Sequence, residues 1–248
     1  MIMSKLTVDK TKSLTGSLKV FYDHHRSNSL AFNYRKKRLS FFKFLIVSIP
    51  GPLKILDVGG NQSMWKLSGF LDEEMRDIEI TLLNINTKIV QEVTHPKIRG
   101  VVCDANNMQQ FKNSEFDVVF SNAVIEHVGN YNDQMKMARE VMRVGKRYFV
   151  QTPNLYFPIE SHFVFPFFQF FPLELKVWLI THFDLGWSKK TTDKQIAKKR
   201  ANSIRLLSKR ELMTLFPNAN FYEEKFFGLT KSFIVYKGWE TSSVETKR

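Results

Sequence analysis

The sequence predicts an α/β fold: a doubly wound, mainly parallel seven-stranded sheet with helices on both faces and an aromatic-rich insertion after the fifth strand. Three observations point to it. Short apolar runs alternate with longer segments able to hold helices, the rhythm of βα units. The run Leu53-Lys54-Ile55-Leu56-Asp57-Val58 passes directly into Gly59-Gly60-Asn61. A strand covered on both faces reads as such a run, and glycines beyond its carboxyl end let the backbone take positive φ and approach a ligand closely. Finally, the rhythm breaks after Thr152-Pro153-Asn154 into a long aromatic and then basic stretch.

Taken in order, Ser27 to Ile49 reads as an N-terminal helix closed by Pro50-Gly51-Pro52, since proline cannot continue a helix. Strands are expected at 53–58, 79–84, 98–103, 116–121 and 146–152, separated by stretches that can each hold a helix. The clearest helix is Asn132 to Val144, where Met135, Ala138 and Met142 recur at three- and four-residue spacing. Five strands in series with helical crossovers imply a parallel sheet. Ala219 to Phe227 and Ser232 to Lys237 supply two more strands, and Leu173 to Phe183 an amphipathic helix carrying Trp178. Residues 1–50 are then a basic helical extension and 51–248 the main domain, with a lid-like insertion at 153–210.

At 248 residues the chain can bury one sizeable core. Its single cysteine, Cys103, forbids an intramolecular disulfide and a cysteine zinc cluster, so a reducing, cytoplasmic compartment is expected. The apolar stretches Phe41 to Pro50 and Phe163 to Leu173 are too short to span a bilayer. The net charge of +13 is unevenly spread: residues 1–50 carry ten Lys/Arg against two Asp/Glu, 51–150 twelve against thirteen, and 151–248 fifteen against nine. Solvated helix faces or an anionic partner, a lipid surface, a phosphate-linked substrate or nucleic acid, would each account for basic flanks.

Within that framework, Asp57-Val58-Gly59-Gly60-Asn61 resembles the first glycine-rich motif of class I S-adenosylmethionine-dependent methyltransferases, with Asn61 in place of the last glycine of D-x-G-x-G. The resemblance covers roughly residues 50–154 and is strongest at Phe116-Asp117-Val118-Val119-Phe120-Ser121-Asn122-Ala123-Val124-Ile125-Glu126-His127-Val128. It implies S-adenosylmethionine as cofactor, with its methionine end on Asp57, Gly59, Gly60 and Asn61 and beside Ser121 and Asn122. It also implies the ribose at Asn84, and the adenine amino group at Asp104 with Ala105 next to it. Asn84 stands where the family commonly has an acid; an uncharged carbonyl makes a weaker acceptor than a carboxylate. Asp104 also fits as the N-cap of a following helix.

For the acceptor, His127 is a chemically sensible general base, because a hydroxyl nucleophile must lose its proton and an imidazole can take it. No metal is expected: quinol O-methyltransferases with a similar segment use an acidic ligand three positions before the glutamate, where this chain has Ala123. The run Pro153-Asn154-Leu155-Tyr156-Phe157-Pro158-Ile159-Glu160-Ser161-His162 resembles methyltransferases of bacterial surface-glycan and lipid pathways, which implies that Glu160 and His162 face the acceptor. The phenylalanines that follow, broken by Pro166 and Pro172, read as a lid apolar on its inner or membrane-facing side. The expected activity is methyl transfer to a small-molecule, glycan or lipid-linked acceptor, O-methylation being favoured, with peripheral contact to an anionic membrane at its inner face.

Rival readings remain. The basic flanks could hold RNA, although Ser121-Asn122-Ala123-Val124 is not the N/D-P-P-Y/F of nucleic-acid amino methyltransferases. A nicotinamide dehydrogenase would need the third glycine of G-x-G-x-x-G. A catalytically silent binding module is kept open by Asn61 and Asn84.

Overall fold

The computed structural model describes residues 29–71 and 77–239. The basic extension before residue 29 lies outside them, as do the first two positions of the helix expected from Ser27. The described residues divide into two compact units, one within 33–157 and 204–239, the other built from 158–203 together with 29–32.

The larger unit is a seven-stranded sheet. In chain order its elements are α1 (Leu30–Val47, most of which it contains), β1 (Leu53–Val58), α2 (Gln62–Leu67), β2 (Ile78–Asn84), α3 (Thr87–Gln91), β3 (Ile98–Val102), β4 (Val118–Asn122), α4 (Tyr131–Val144) and β5 (Tyr148–Pro153). The elements α7 (Lys209–Leu215), β8 (Asn220–Phe226) and β9 (Leu229–Lys237) complete it. The strand order is β3-β2-β1-β4-β5-β9-β8. The first five strands are parallel, and β9 runs antiparallel to both β5 and β8. All seven expected strands are present, with ends within a few residues of the sequence reading.

Alternation along β1 explains why both sheet faces are covered. Leu53 and Ile55 join Phe42, Leu45 and Ile46 of α1, Trp65 and Phe70 in one cluster, while Leu56 and Val58 join Met137, Ala138 and Val141 of α4 and Leu212 of α7 in the other. Phe42 is held by four rings, at centroid distances of 4.7 Å to Phe120, 5.2 Å to Phe149, 5.8 Å to Phe70 and 6.4 Å to Trp65. Burying one such side chain contributes about 1.5–3 kcal/mol, so α1 is an integral layer of the fold. Helix α4 begins with a capping box in which Asn130 and Asp133 satisfy each other's backbone N–H groups.

One connection differs from expectation. Between β3 and β4 the chain makes turns and no helix; Cys103, Ala105, Met108 and Phe111 are buried directly against the α4 side, so this short segment covers the sheet edge without a helical layer.

The smaller unit carries β6 (Ile159–Glu160) paired antiparallel with β7 (Phe165–Pro166), a 3-10 turn at Phe168–Phe170, α5 (Leu173–His182) and α6 (Lys194–Asn202). Phe163 stacks on Phe168 at 4.1 Å, and Asp193 caps α6 through the N–H groups of Gln195 and Ile196. Helix α5 is apolar beyond one stripe: Leu179 and Ile180 are buried while Leu175 and Trp178 are exposed. Among the described residues no helix is long and apolar enough to cross a membrane.

Candidate active site

Parallel strands bring their carboxyl ends to one edge, and the residues singled out from the sequence at 57–61, 84, 104–105 and 121–122 meet there. Gly59 has φ +77°, and its N–H donates to the Leu83 carbonyl at 2.7 Å. A Cβ on Gly59 would fall 2.6 Å from the Val124 methyls, and one on Gly60 would fall 1.7 Å from Asp57 Oδ2. The turn is therefore pressed between the loop after β4 and the Asp57 carboxyl, with no room for a side chain at either glycine. Asp57 is fully buried; its Oδ2 accepts from Trp65 Nε1 at 2.7 Å, and its Oδ1 has no partner among the described residues. Burial pushes the Asp57 carboxyl up to about 7, against the smaller opposing pull of the indole N–H.

Asn61 caps α2, accepting the Met64 N–H at 3.2 Å. This local role accounts for asparagine where the motif has glycine, because Asn is among the favoured N-caps. Asn84 is buried and ties three strand ends together: its Nδ2 donates to the Gly60 carbonyl at 3.0 Å, its Oδ1 accepts the Asn86 N–H at 2.9 Å, and its carbonyl accepts the Cys103 N–H at 3.2 Å. Asp104 is exposed and accepts the Asn106 N–H at 2.9 Å. No helix follows it, so its capping is of a turn and the helix N-cap expectation is corrected. Ala105 is buried beside it.

At the end of β4, Ser121 is fully buried and its Oγ has no partner among the described residues. Asn122 Oδ1 accepts from Arg38 Nη1 of α1. The guanidinium of this buried residue, 7% exposed overall, forks onto Glu224 of β8, with Nε to Oε1 at 3.1 Å and Nη2 to Oε2 at 2.5 Å, and Ser232 Oγ also donates to Glu224. Burial alone would raise the Glu224 carboxyl; the charge and hydrogen bonds of Arg38 outweigh it and hold the group below the usual range. Nearby, burial brings the Lys231 ammonium down to about 8, with Arg38 adding repulsion and Glu224 opposing, and its Nζ lies 4.9 Å from the Tyr34 ring centroid. Beyond Ala123, which sits at φ +55° with its N–H on the Gln151 carbonyl, a 3-10 turn separates two neighbours. Glu126 is fully buried and accepts from Thr152 Oγ at 3.0 Å, while His127 is exposed and its N–H donates to the Val124 carbonyl.

Glu160 and His162 belong to the smaller unit, where they form a pair of their own. His162 Nδ1 lies 2.6 Å from Glu160 Oε1, and Glu160 Oε2 accepts the N–H groups of His162 and Phe163 at 2.9 and 2.7 Å. A carboxylate beside Nδ1 fixes the ring and favours the tautomer protonated there, leaving Nε2 as the basic nitrogen.

Sequence reasoning missed Arg38, Trp65 and Glu224. The signal for Arg38 was present: it lies four and seven positions before Phe42 and Leu45, on the helix face that those residues bury. Nothing in the local sequence marks Trp65 or Glu224, which meet their partners only through the tertiary fold.

Residues 59–148 match the family model described as "Methyltransferase domain". No curated protein matches the chain. Among solved structures, the PH0226 protein of Pyrococcus horikoshii OT3 is similar at a TM-score of 0.54 and 14% identity, covering 91% of this chain and 99% of that one. The CurJ carbon methyltransferase is similar at a TM-score of 0.56 and 12% identity, covering 90% of this chain and 58% of that one. At 11% identity and a TM-score of 0.53, an exported-protein candidate from Bordetella parapertussis shares the fold over 91% of this chain and 80% of its own.

Proposed function

We propose that this chain is a class I S-adenosylmethionine-dependent methyltransferase, a reading supported by its match to the methyltransferase-domain model, and that it methylates an oxygen, hydroxyl or carboxylate, on a glycan, lipid or lipid-linked acceptor. The observation that carries the cofactor part of the reading is the glycine turn closed over Asp57, with Asp57 Oδ1 and Ser121 Oγ, at the ends of adjacent strands, without partners among the described residues. Buried polar atoms are nearly always hydrogen-bonded, so these two fit a polar ligand at the strand tips. When bound, the cofactor supplies a sulfonium-activated methyl group.

The chain's own residues then bind and orient. Gly59, Gly60 and Asn61 would hold the amino-acid end together with Ser121 and Asn122. Asn84 would meet the ribose through the remaining lone pair of its Oδ1, and Asp104 with Ala105 the adenine. Catalysis of this kind rests largely on holding the acceptor oxygen near and in line. Where the acceptor is a hydroxyl, His127, or His162 oriented by Glu160, takes its proton. The basic flanks and the aromatic segment after Asn154 support an anionic, lipid-associated acceptor and a cytoplasmic position at the inner face of a membrane.

A silent binding module is the second reading, supported by Asn84, both ends of whose side chain bond within the protein. Calorimetric titration with S-adenosylhomocysteine separates the two: micromolar binding is expected of the enzyme, and no heat with no thermal shift sinks it. Incubation with methyl-labelled cofactor and either a lipid extract or RNA then tests the acceptor. Label in the organic phase is the expected result, and label in RNA, with a steep salt dependence of binding, overturns it.

A further inference from the structure

Strands β8 and β9 are joined by a two-residue loop, Phe227-Gly228, because Phe226 pairs with Leu229. Both loop residues have positive φ, +46° and +78°, the requirement of a type I′ turn, in which Asn-Gly and Gly-Gly are the favoured pairs. A phenylalanine in the left-handed region is an outlier that needs a reason. Its ring is 90% exposed, and nothing lies within 4 Å of where a Gly228 Cβ would be, so packing does not supply one. Its only ring contact described is with Phe226 at 4.6 Å.

The surroundings are of one kind. Leu229 and Tyr156 are exposed at 53% and 66%. Tyr156 belongs to the turn that runs alongside the hairpin, through Asn154 Nδ2 to the Thr230 carbonyl at 2.7 Å and the Phe157 ring on Phe226 at 6.4 Å. The acids of β8 are already paired, Glu223 with Lys209 and Glu224 with Arg38, whereas Lys225 is exposed with no ion pair among the described residues. The hairpin also ends at the carboxyl edge of the sheet, the same edge as the glycine turn, since β8 runs in the direction of β5.

We propose that the Phe226–Leu229 hairpin tip, with Tyr156 beside it, is a wedge that inserts into an anionic lipid surface and seats the carboxyl edge of the sheet on it; this rests on the lipid-side acceptor given above. A protruding tip of a few side chains is far smaller than the roughly 800 Å² per partner that a stable protein interface buries. The net charge of +13 repels a second copy and complements anionic headgroups. Exposed aromatic side chains flanked by lysine are the composition that partitions into the headgroup region.

The test is sedimentation of the full chain with phosphatidylcholine vesicles, with and without phosphatidylglycerol. Phe227→Asn is the informative variant, because asparagine suits the turn. It should leave the melting temperature unchanged or raise it and leave S-adenosylhomocysteine binding intact. It should also lower partitioning onto anionic vesicles about tenfold, as loss of a buried phenyl ring implies. Lys225→Gln should lower it about fivefold. Wild-type protein that stays in the supernatant, a Phe227→Asn variant that pellets as well as wild type, or self-association that depends on Phe227 each overturns the wedge. Absence of S-adenosylhomocysteine binding, with vesicle binding retained, would instead sink the methyl-transfer reading and leave the wedge standing.

Discussion

Two residues at the glycine turn carry the sharpest expectations. Gly60→Ala puts a methyl 1.7 Å from the Asp57 carboxylate, a contact that only movement of the turn or of Asp57 can relieve, so titration with S-adenosylhomocysteine should show affinity reduced by tenfold or more. Asp57 itself links stability to pH. Below its ordinary value of 3.8 the carboxyl is protonated in folded and unfolded chains alike; between there and about 7 the unfolded chain releases the proton and the folded chain keeps it. Stability is therefore fullest on the acid side of this window and falls as pH rises through it, by up to about 4 kcal/mol, levelling off above. Urea unfolding at about pH 5 and about pH 8 should show about 2–3 kcal/mol of that fall in wild type and its loss in Asp57→Asn. The positions of Gly59, Gly60 and Ser121 were legible in the sequence because strand tips and glycine pairs announce themselves locally. The occupation of Asn61 by a helix cap and of Asn84 by two internal hydrogen bonds was not, since both depend on where neighbouring backbone groups end up.

At the level of elements, α1 is the part whose role the sequence understates. Its Arg35-Lys36-Lys37-Arg38 cluster reads as a solvated or ligand-facing charge run, yet Arg38 is buried and locks α1 to β8 and to the end of β4. Breaking a buried pair leaves one charge stranded, so Arg38→Met should cost about 3–5 kcal/mol in urea unfolding, while the double variant Arg38→Met/Glu224→Leu should recover most of it. A double variant as unstable as the single one would show that the Asn122 contact, not the ion pair, is what matters. Strands were readable because each is a short apolar run between turn residues. The missing helix between β3 and β4 was not: Ala105, Met108 and Phe111 are apolar at the three-residue spacing a helix would also use, yet the chain buries them from a series of turns.

For the whole molecule, the organising fact is that the sheet is complete without residues 158–203. The Leu155 N–H donates to the Leu207 carbonyl at 3.1 Å, and Asn154 and Leu207 form a parallel bridge, so the chain leaves the larger unit and rejoins it at adjoining positions. Replacing 158–203 by a short Gly-Ser linker should leave cooperative urea unfolding intact and S-adenosylhomocysteine binding within a few-fold of wild type by calorimetry. Collapse of cofactor binding in that variant would overturn the independence of the larger unit. The overall α/β order was visible from periodicity, and an insertion was expected at 153–210; the closure between Asn154 and Leu207 was not legible, because no local pattern encodes it. Such a doorway has an evolutionary corollary: a cartridge entering and leaving through one gap can be exchanged for another without redrawing the engine behind it.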